Sequence, residues 1–342
     1  MCRLFRYNVL GKFYTVFSMK AKGRKKFICT LPWEKAAIKA NGEVTCSTAH
    51  RGRKELFFGN INESSFKEIW HGAKFQALRQ NIRDPETKLS YLCYTCPYKT
   101  EYKDIQMLPL KPDYPKEVWI ESTDMCNLQC PVCLHPGDRR GFYLSLERFT
   151  QFIDEVGPSL ETLLFYIDGE NYMHPEATEM TRYAKKVNPD LFILTSTNGL
   201  LFNTSSKQED FVRSGVDRVI FSIDGATQDS YAHYRIGGQL DSVLDNLKAV
   251  IDFKKKLGIS LHVQWRYILF EWNDSDEEMD LARELASNIG VDSLTWLITT
   301  TVNHSKRFFL SHVAEYPVKL SIECYEATEV AVKEDMLKQK FV

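Results

Sequence analysis

Short apolar runs rich in Val, Ile and Phe recur from residue 117 onward, separated by longer stretches in which apolar positions repeat every three or four residues. The short runs are Val118–Glu121, Leu163–Ile167, Phe192–Thr195, Val219–Ile223, Leu261–Ile268 and Leu294–Ile298. Near-continuous apolar runs of this length suit strands buried on both faces, and the helical stretches between them suit parallel crossovers. Six β/α units in succession predict an α/β fold whose parallel sheet curls into a partial (β/α)6 barrel over residues 117–300. One helix is especially clear: Met279, Leu281, Ala282, Leu285 and Ile289 keep helical spacing behind the start signal Asp274-Ser275-Asp276-Glu277, which predicts a helix over 276–289.

Ahead of residue 117 the pattern changes. Residues 27–103 are turn-rich and cysteine-bearing, and Asn41-Gly42 marks a tight hairpin between two β-like runs. This segment reads as a small module held by metal in place of a packed core. Pro109, Pro112 and Pro115 make residues 104–116 an extended linker, because each proline fixes φ and turns its predecessor away from helix. Residues 1–26, with the basic run Lys20, Lys22, Arg24, Lys25 and Lys26, read as a flexible, solvated leader in which Met19 is an alternative start. Residues 301–342 are expected to close the barrel. No internal repeat is visible.

Composition narrows the class. A chain of 342 residues, 44% hydrophobic and 26% charged, is too apolar for a disordered protein. The net charge of −1 gives no pull toward nucleic acid or an anionic membrane. No apolar run reaches the roughly 18 residues a span needs, and Arg3, Arg6 and Lys12 interrupt any signal-peptide core. Nine cysteines without an export signal point to metal ligation in a reducing cytoplasm rather than to disulfides.

Seven of those cysteines fall into two groups. Directly after the first barrel strand stands Cys126-Asn127-Leu128-Gln129-Cys130-Pro131-Val132-Cys133, at the end of the strand where barrels carry their chemistry. Three thiolates at this spacing can hold three irons of a 4Fe-4S cube and leave the fourth open, or form a zinc site short of one ligand. Cys29, Cys46, Cys93 and Cys96 form the second group, which suits tetrahedral zinc or a fully ligated 4Fe-4S cluster.

The three-cysteine loop, taken with the six-unit partial barrel, resembles the radical S-adenosylmethionine (SAM) superfamily and its TIM-like barrel. Four later stretches are similar to that family's SAM-binding elements. Asp168-Gly169-Glu170-Asn171 follows strand two; Gly169 and Glu170 would meet the methionine ammonium, with Asp168 standing where the family has a first glycine. Ser196-Thr197-Asn198-Gly199 follows strand three, where Asn198 would bond the cofactor or simply form a turn. Ser222-Ile223-Asp224-Gly225 follows strand four, ahead of Tyr231, Tyr234, Arg235, Gly237 and Gly238. This run resembles SPASM and twitch members, with Ser222 and Asp224 facing cofactor or substrate, or Asp224 capping a helix. Gln264-Trp265-Arg266 lies on strand five; alternation puts Gln264 and Arg266 on one face, where a buried Arg pairs with the SAM carboxylate or a structural acid.

The sequence around the second cysteine group (Cys29 to Trp33, Asn41 to Val44, Gly59 to Ile61, Ile69-Trp70, Leu78-Arg79) resembles a SPASM or twitch module carrying an auxiliary cluster. The module stands before the barrel, where the family usually has it after, and Ser47 replaces a further cysteine, so one auxiliary cluster is implied. The resemblance implies two 4Fe-4S clusters, SAM, a flavodoxin- or ferredoxin-type electron donor and a small-molecule or peptide substrate. Three functions are in view: an epimerase or dehydrogenase on a sugar or aminocyclitol, a maturase that oxidises or crosslinks a ribosomal peptide, and a zinc-stabilised binding protein. Glu170, Asp224 and His135 are the acid–base candidates, and Tyr166, Trp265 and Trp296 are barrel aromatics that shape the pocket or, as the commoner role for any one of them, pack the core. Cys324, left over after cluster assignment, alternates with Leu320 and Ile322, a pattern that suits packing and also makes it the candidate hydrogen donor of an epimerase; Cys2 lies in the leader.

Overall fold

The computed structural model describes residues 4–9, 12–17, 29–48, 56–84, 93, 96, 107–131, 133, 139–299 and 303–308. Cys2, the basic run at 20–26, His135, the C-terminal extension beyond residue 308 and Cys324 lie outside the described residues. Within the leader, β1 (Leu4–Val9) and β2 (Lys12–Phe17) pair as an antiparallel hairpin. The short helix α1 (Leu31–Glu34) then leads into β3 (Lys35–Ile38), β4 (Glu43–Thr45), β5 (Gly59–Asn60), α2 (Phe66–Trp70) and α3 (Ala73–Arg83).

The barrel strands follow where the apolar runs place them. They are β6 (Glu117–Ile120), β7 (Thr162–Phe165), β8 (Phe192–Thr197), β9 (Arg218–Ser222), β10 (His262–Leu269) and β11 (Ser293–Ile298). Between them stand α4 (Leu146–Val156), α5 (Ala177–Val187), α6 (Ser205–Val212), α7 (Gln228–Tyr234), α8 (Leu240–Leu257) and α9 (Asp276–Ile289). Each of Ser145, Thr204, Thr227 and Ser275 caps the helix it precedes by accepting a backbone N–H.

The strands from β6 to β11 are parallel neighbours in chain order. Right-handed crossovers in an unbroken order put every helix on one face, and a sheet covered on one face only curls toward the other. Val219, Phe221, Val263, Trp265, Tyr267, Trp296 and Ile298 fill the helix-facing side, packed with Val243, Leu247 and Val250 of α8. Trp265 and Trp296 therefore belong to this core and not to a pocket; Trp265 Nε1 donates to the Ile223 carbonyl. On the opposite face Ser196, Ser222, Gln264, Arg266 and Thr295 bond to one another or to neighbours in the same rows.

The expectation of a module without a packed core is corrected. β3 pairs parallel with β6, and the β3–β4–β5 meander extends the barrel sheet to nine strands. The turn forms at Asn41-Gly42, with Gly42 at φ 83°, a conformation open to glycine. Ile38, Val44, Phe58, Phe66, Trp70 and Phe75 join the barrel core in one continuous body.

The described part of the proline-bearing segment, residues 107–116, is bound at several points to the module and the barrel. Trp33 Nε1 donates to Pro109 O, Trp70 Nε1 to Asp113 O and Lys116 N to Glu34 O. The buried Arg79 guanidinium donates to the carbonyls of Pro32, Trp70 and Leu110 and stacks over Trp70. Among the described residues, no helix is long and apolar enough to cross a membrane.

Candidate functional site

The chain leaves β6 into a loop that carries Cys126, Cys130 and Cys133. Cys130 is buried and the other two are half-buried, against Leu128, Tyr234, Ile268, Phe270 and Leu297. The loop is fixed mainly through its backbone. Arg139 Nη1 donates to the carbonyls of Cys126 and Leu128 at 2.8 and 2.7 Å, Glu170 N donates to Met125 O at 2.8 Å, and Gln129 N donates to Ile236 O at 3.1 Å.

Two side chains reach the sulfurs: Asn198 Nδ2 lies 3.9 Å from Cys126 Sγ, and Arg235 Nη1 lies 3.8 Å from Cys130 Sγ. Burial pushes the Cys126 and Cys130 thiols up, so they ionise only when a cationic centre offsets the desolvation. Apolar surroundings, N–H donors to sulfur and three thiols on one loop fit an iron–sulfur cluster.

The ends of β7 and β8 close over this loop. A Cβ on Gly169 would stand 2.0 Å from Thr123 O and 2.9 Å from Met125 O, so only glycine lets strand two's loop approach the cysteine loop. Gly169→Ala is expected to leave the barrel folded while displacing the Cys126 loop, seen as loss of about half the bound iron by the ligand-count argument, with thermal unfolding as the control.

Glu170 is buried and accepts from Thr197 Oγ1 at 2.8 Å and Asn198 N at 2.7 Å. Burial outweighs these bonds and raises its carboxyl to about 7. Asn198 also donates to Asn127 Oδ1 at 2.8 Å. Asn198 thus reaches Cys126 Sγ, the Glu170 charge acts on the same thiol, and Gly169 packs against the Thr123 and Met125 carbonyls of that loop.

Arg266 Nη2 donates to Ser222 Oγ at 2.8 Å and Ser196 Oγ at 3.2 Å, joining the ends of β8, β9 and β10 on the inner face. Asp224 does not cap a helix, since Thr227 caps α7; it is fully buried and pairs with Arg235. Gln264 lies one row deeper, accepting from Arg218 and donating to Thr295.

Glu121 was not singled out by sequence pattern, yet its Oε1 accepts from Asp168 N and Gly169 N and its Oε2 from Ala40 N. A carboxylate ending the otherwise apolar run Val118–Glu121 was its available signal in the sequence.

The second group, Cys29, Cys46, Cys93 and Cys96, is buried together. Burial first, then the charges of Cys29, Cys96 and Cys93, push the Cys46 thiol well up. Four buried thiols whose ionised forms would repel one another fit a multi-iron core that gives each sulfur its own cation. Among the described residues, no three His, Cys, Asp or Glu side chains stand close enough to share one ion. A cleft of about 240 Å³ opens beside the first group, lined by Lys39, Asn41 and Glu43 of the hairpin and by Asp124, Cys133 and Arg139 of the cysteine loop.

Two family models match the chain: an iron–sulfur cluster-binding SPASM domain over residues 29–97 and the radical SAM superfamily over residues 120–296, just over half the chain. The tungsten-containing aldehyde ferredoxin oxidoreductase cofactor-modifying protein of Pyrococcus furiosus is 28% identical over 184 residues, 52% of this chain and 50% of that protein. GTP 3′,8-cyclase of Lactiplantibacillus plantarum is 27% identical over 170 residues, 48% of this chain and 48% of that enzyme. PqqA peptide cyclase of Streptomyces rochei is 28% identical over 114 residues, 33% of this chain and 30% of that enzyme. The chain spans about half the length of the first two of these relatives.

A 4Fe-4S cluster with SAM accompanies the one domain, and an auxiliary iron–sulfur cluster accompanies the other. Three thiols at the head of a parallel partial barrel, with a four-cysteine module joined to its first edge, agree with both matches: the chain belongs to the radical SAM superfamily and carries its SPASM domain ahead of the barrel.

Proposed function

We propose that this chain reductively cleaves SAM, abstracts a hydrogen atom from a polar small molecule or peptide side chain, and releases an oxidised product. The observation that carries the reading is the meeting of the β7 and β8 ends with the cysteine loop, with Asn198 and Glu170 beside Cys126. When bound, the first cluster with SAM supplies a 5′-deoxyadenosyl radical and the auxiliary cluster an electron acceptor. Cys126, Cys130 and Cys133 would hold the first and leave one iron open; Cys29, Cys46, Cys93 and Cys96 would saturate the second. Glu170 would receive the methionine ammonium. Arg266, steadied by Ser222, would face the carboxylate, with Asn198 and the Gly169 backbone completing the cradle.

The cleft between the hairpin and Cys133 is sized for a small polar group and opens beside the first cysteine set. A saturated auxiliary site favours oxidation over epimerisation. The named relatives are cyclases and a cofactor-modifying protein, which moves the substrate class away from the sugars suggested by chain length. Dithionite-reduced, reconstituted protein should convert SAM to methionine and 5′-deoxyadenosine in equal amounts. Absence of 5′-deoxyadenosine in protein with full iron content would defeat the proposal.

The state of Glu170 adds a pH test. Below about 7 the ligand-free protein holds this carboxyl protonated. An ammonium docking beside it favours the carboxylate, so binding releases a proton and SAM affinity should rise with pH up to about 7 and level off above it. Glu170→Gln should remove that dependence and weaken binding roughly tenfold to hundredfold, as expected for a lost charge-assisted contact. Equilibrium dialysis between pH 6 and 8 measures both effects.

A further inference from the structure

We propose that the buried pair Asp224–Arg235 sets the reduction potential of the centre held by Cys126, Cys130 and Cys133, acting as a fixed dipole with its positive end on the Cys130 sulfur. Asp224 leaves the end of β9 and Arg235 follows the last turn of α7. Arg235 Nε and Nη2 both donate to Asp224 Oδ2, at 2.6 and 2.5 Å. The other carboxylate oxygen, Oδ1, accepts from Ile268 N at 2.7 Å, which leaves the acid no freedom to swing away. The remaining arm of the guanidinium, Nη1, points to Cys130 Sγ at 3.8 Å. Ile236, the next residue, binds the cysteine loop through its carbonyl and Gln129 N, so charge and loop are held in one register.

Asp224 is fully buried and the Arg235 side chain is 13% exposed. Water therefore screens the pair weakly, and its field acts on the sulfur at short range. A donor cation against the sulfur stabilises an added electron, while the carboxylate behind it opposes that effect. The two residues should consequently move the potential in opposite directions. A merely structural support would not do this, because losing either member of a scaffold loosens the same loop.

The inference rests on the reading that these thiols hold the SAM-binding cluster, which iron content in the wild-type protein tests separately. The experiment is a redox titration of the reconstituted full chain followed by electron paramagnetic resonance, using the reduced signal that changes on SAM addition. Asp224→Asn should raise the midpoint potential of that signal. Asp224→Asn combined with Arg235→Gln should bring it back down, and Arg235→Lys, which keeps the charge, should stay nearer to wild type than the double variant does.

Potentials that stay at the wild-type value in all three variants, at full iron content, overturn the proposal. So does a shift of the same sign and size in Asp224→Asn and the double variant. Loss of the centre from both would make the pair a scaffold and overturn the tuning role as well. Absence of iron from the wild-type centre would instead defeat the function proposed above.

Discussion

Replacing Cys126, Cys130 and Cys133 together with Ala is expected to abolish SAM cleavage and to lower bound iron from about eight to about four per chain, by the count of ligands each cluster needs. The effect is all-or-none because the open iron that would receive SAM exists only while three thiolates hold the other three. The barrel should survive. These thiols sit in a small satellite of the core around Leu128, Tyr234 and Phe270, separate from the large apolar body between sheet and helices. Iron and sulfide analysis, 5′-deoxyadenosine assay and thermal unfolding measure the three parts. Persisting SAM cleavage would remove the assignment of these cysteines.

Glu121→Ala should produce the largest loss of stability outside the apolar core. Its carboxylate joins three segments distant in sequence: the hairpin at Ala40, the first barrel strand, and the strand-two loop at Asp168 and Gly169. Truncation leaves three backbone N–H groups without their acceptor, at roughly 1–3 kcal/mol for each one that water cannot reach. A loss of several kcal/mol lowers the unfolding temperature by about 10 °C in a chain of this size.

Glu121→Gln is expected to fall between the two, since one amide oxygen can still accept while the amide nitrogen faces another donor. Because the carboxylate links the hairpin to the loop carrying Gly169 and Glu170, SAM affinity should fall with stability in the Ala variant. Calorimetry at matched iron content checks this; an unchanged unfolding temperature would show that the three amides find other acceptors.

The fold was legible because its signals are local. Each buried parallel strand announces itself as a short apolar run, and the strands of the structure fall within a few residues of those runs. The 276–289 helix was equally plain, since its cap at Ser275 and its periodicity both lie within the segment itself. The Asn41-Gly42 turn follows from the backbone freedom of one residue, and the two cysteine groups were visible from spacing and residue type alone. Apart from the grouping of Cys29 and Cys46 with Cys93 and Cys96, none of these readings depends on a partner far along the chain.

What the sequence could not supply were the side-chain pairings made across the barrel. Asp224 and Arg235 are eleven positions apart, and nothing in their spacing says that one orients the other toward Cys130, which lies ninety-four positions before Asp224. Gln264 and Arg266 share a face, as alternation requires. Only the stacking of strands decides that Arg266 reaches the level of Ser222 while Gln264 stays a row below with Arg218.

Trp265 and Trp296 show the same limit, because an aromatic on a buried strand reads alike whether it faces helices or lumen. The N-terminal module is the plainest case. Its cysteines suggested a unit stapled by metal, whereas its edge strand β3 hydrogen-bonds to β6 and its apolar residues complete the barrel's own core. Periodicity and spacing report what each segment needs to bury or bind. Which segment meets that need is decided by the register of the sheet, where one strand's polar ends become the next strand's partners.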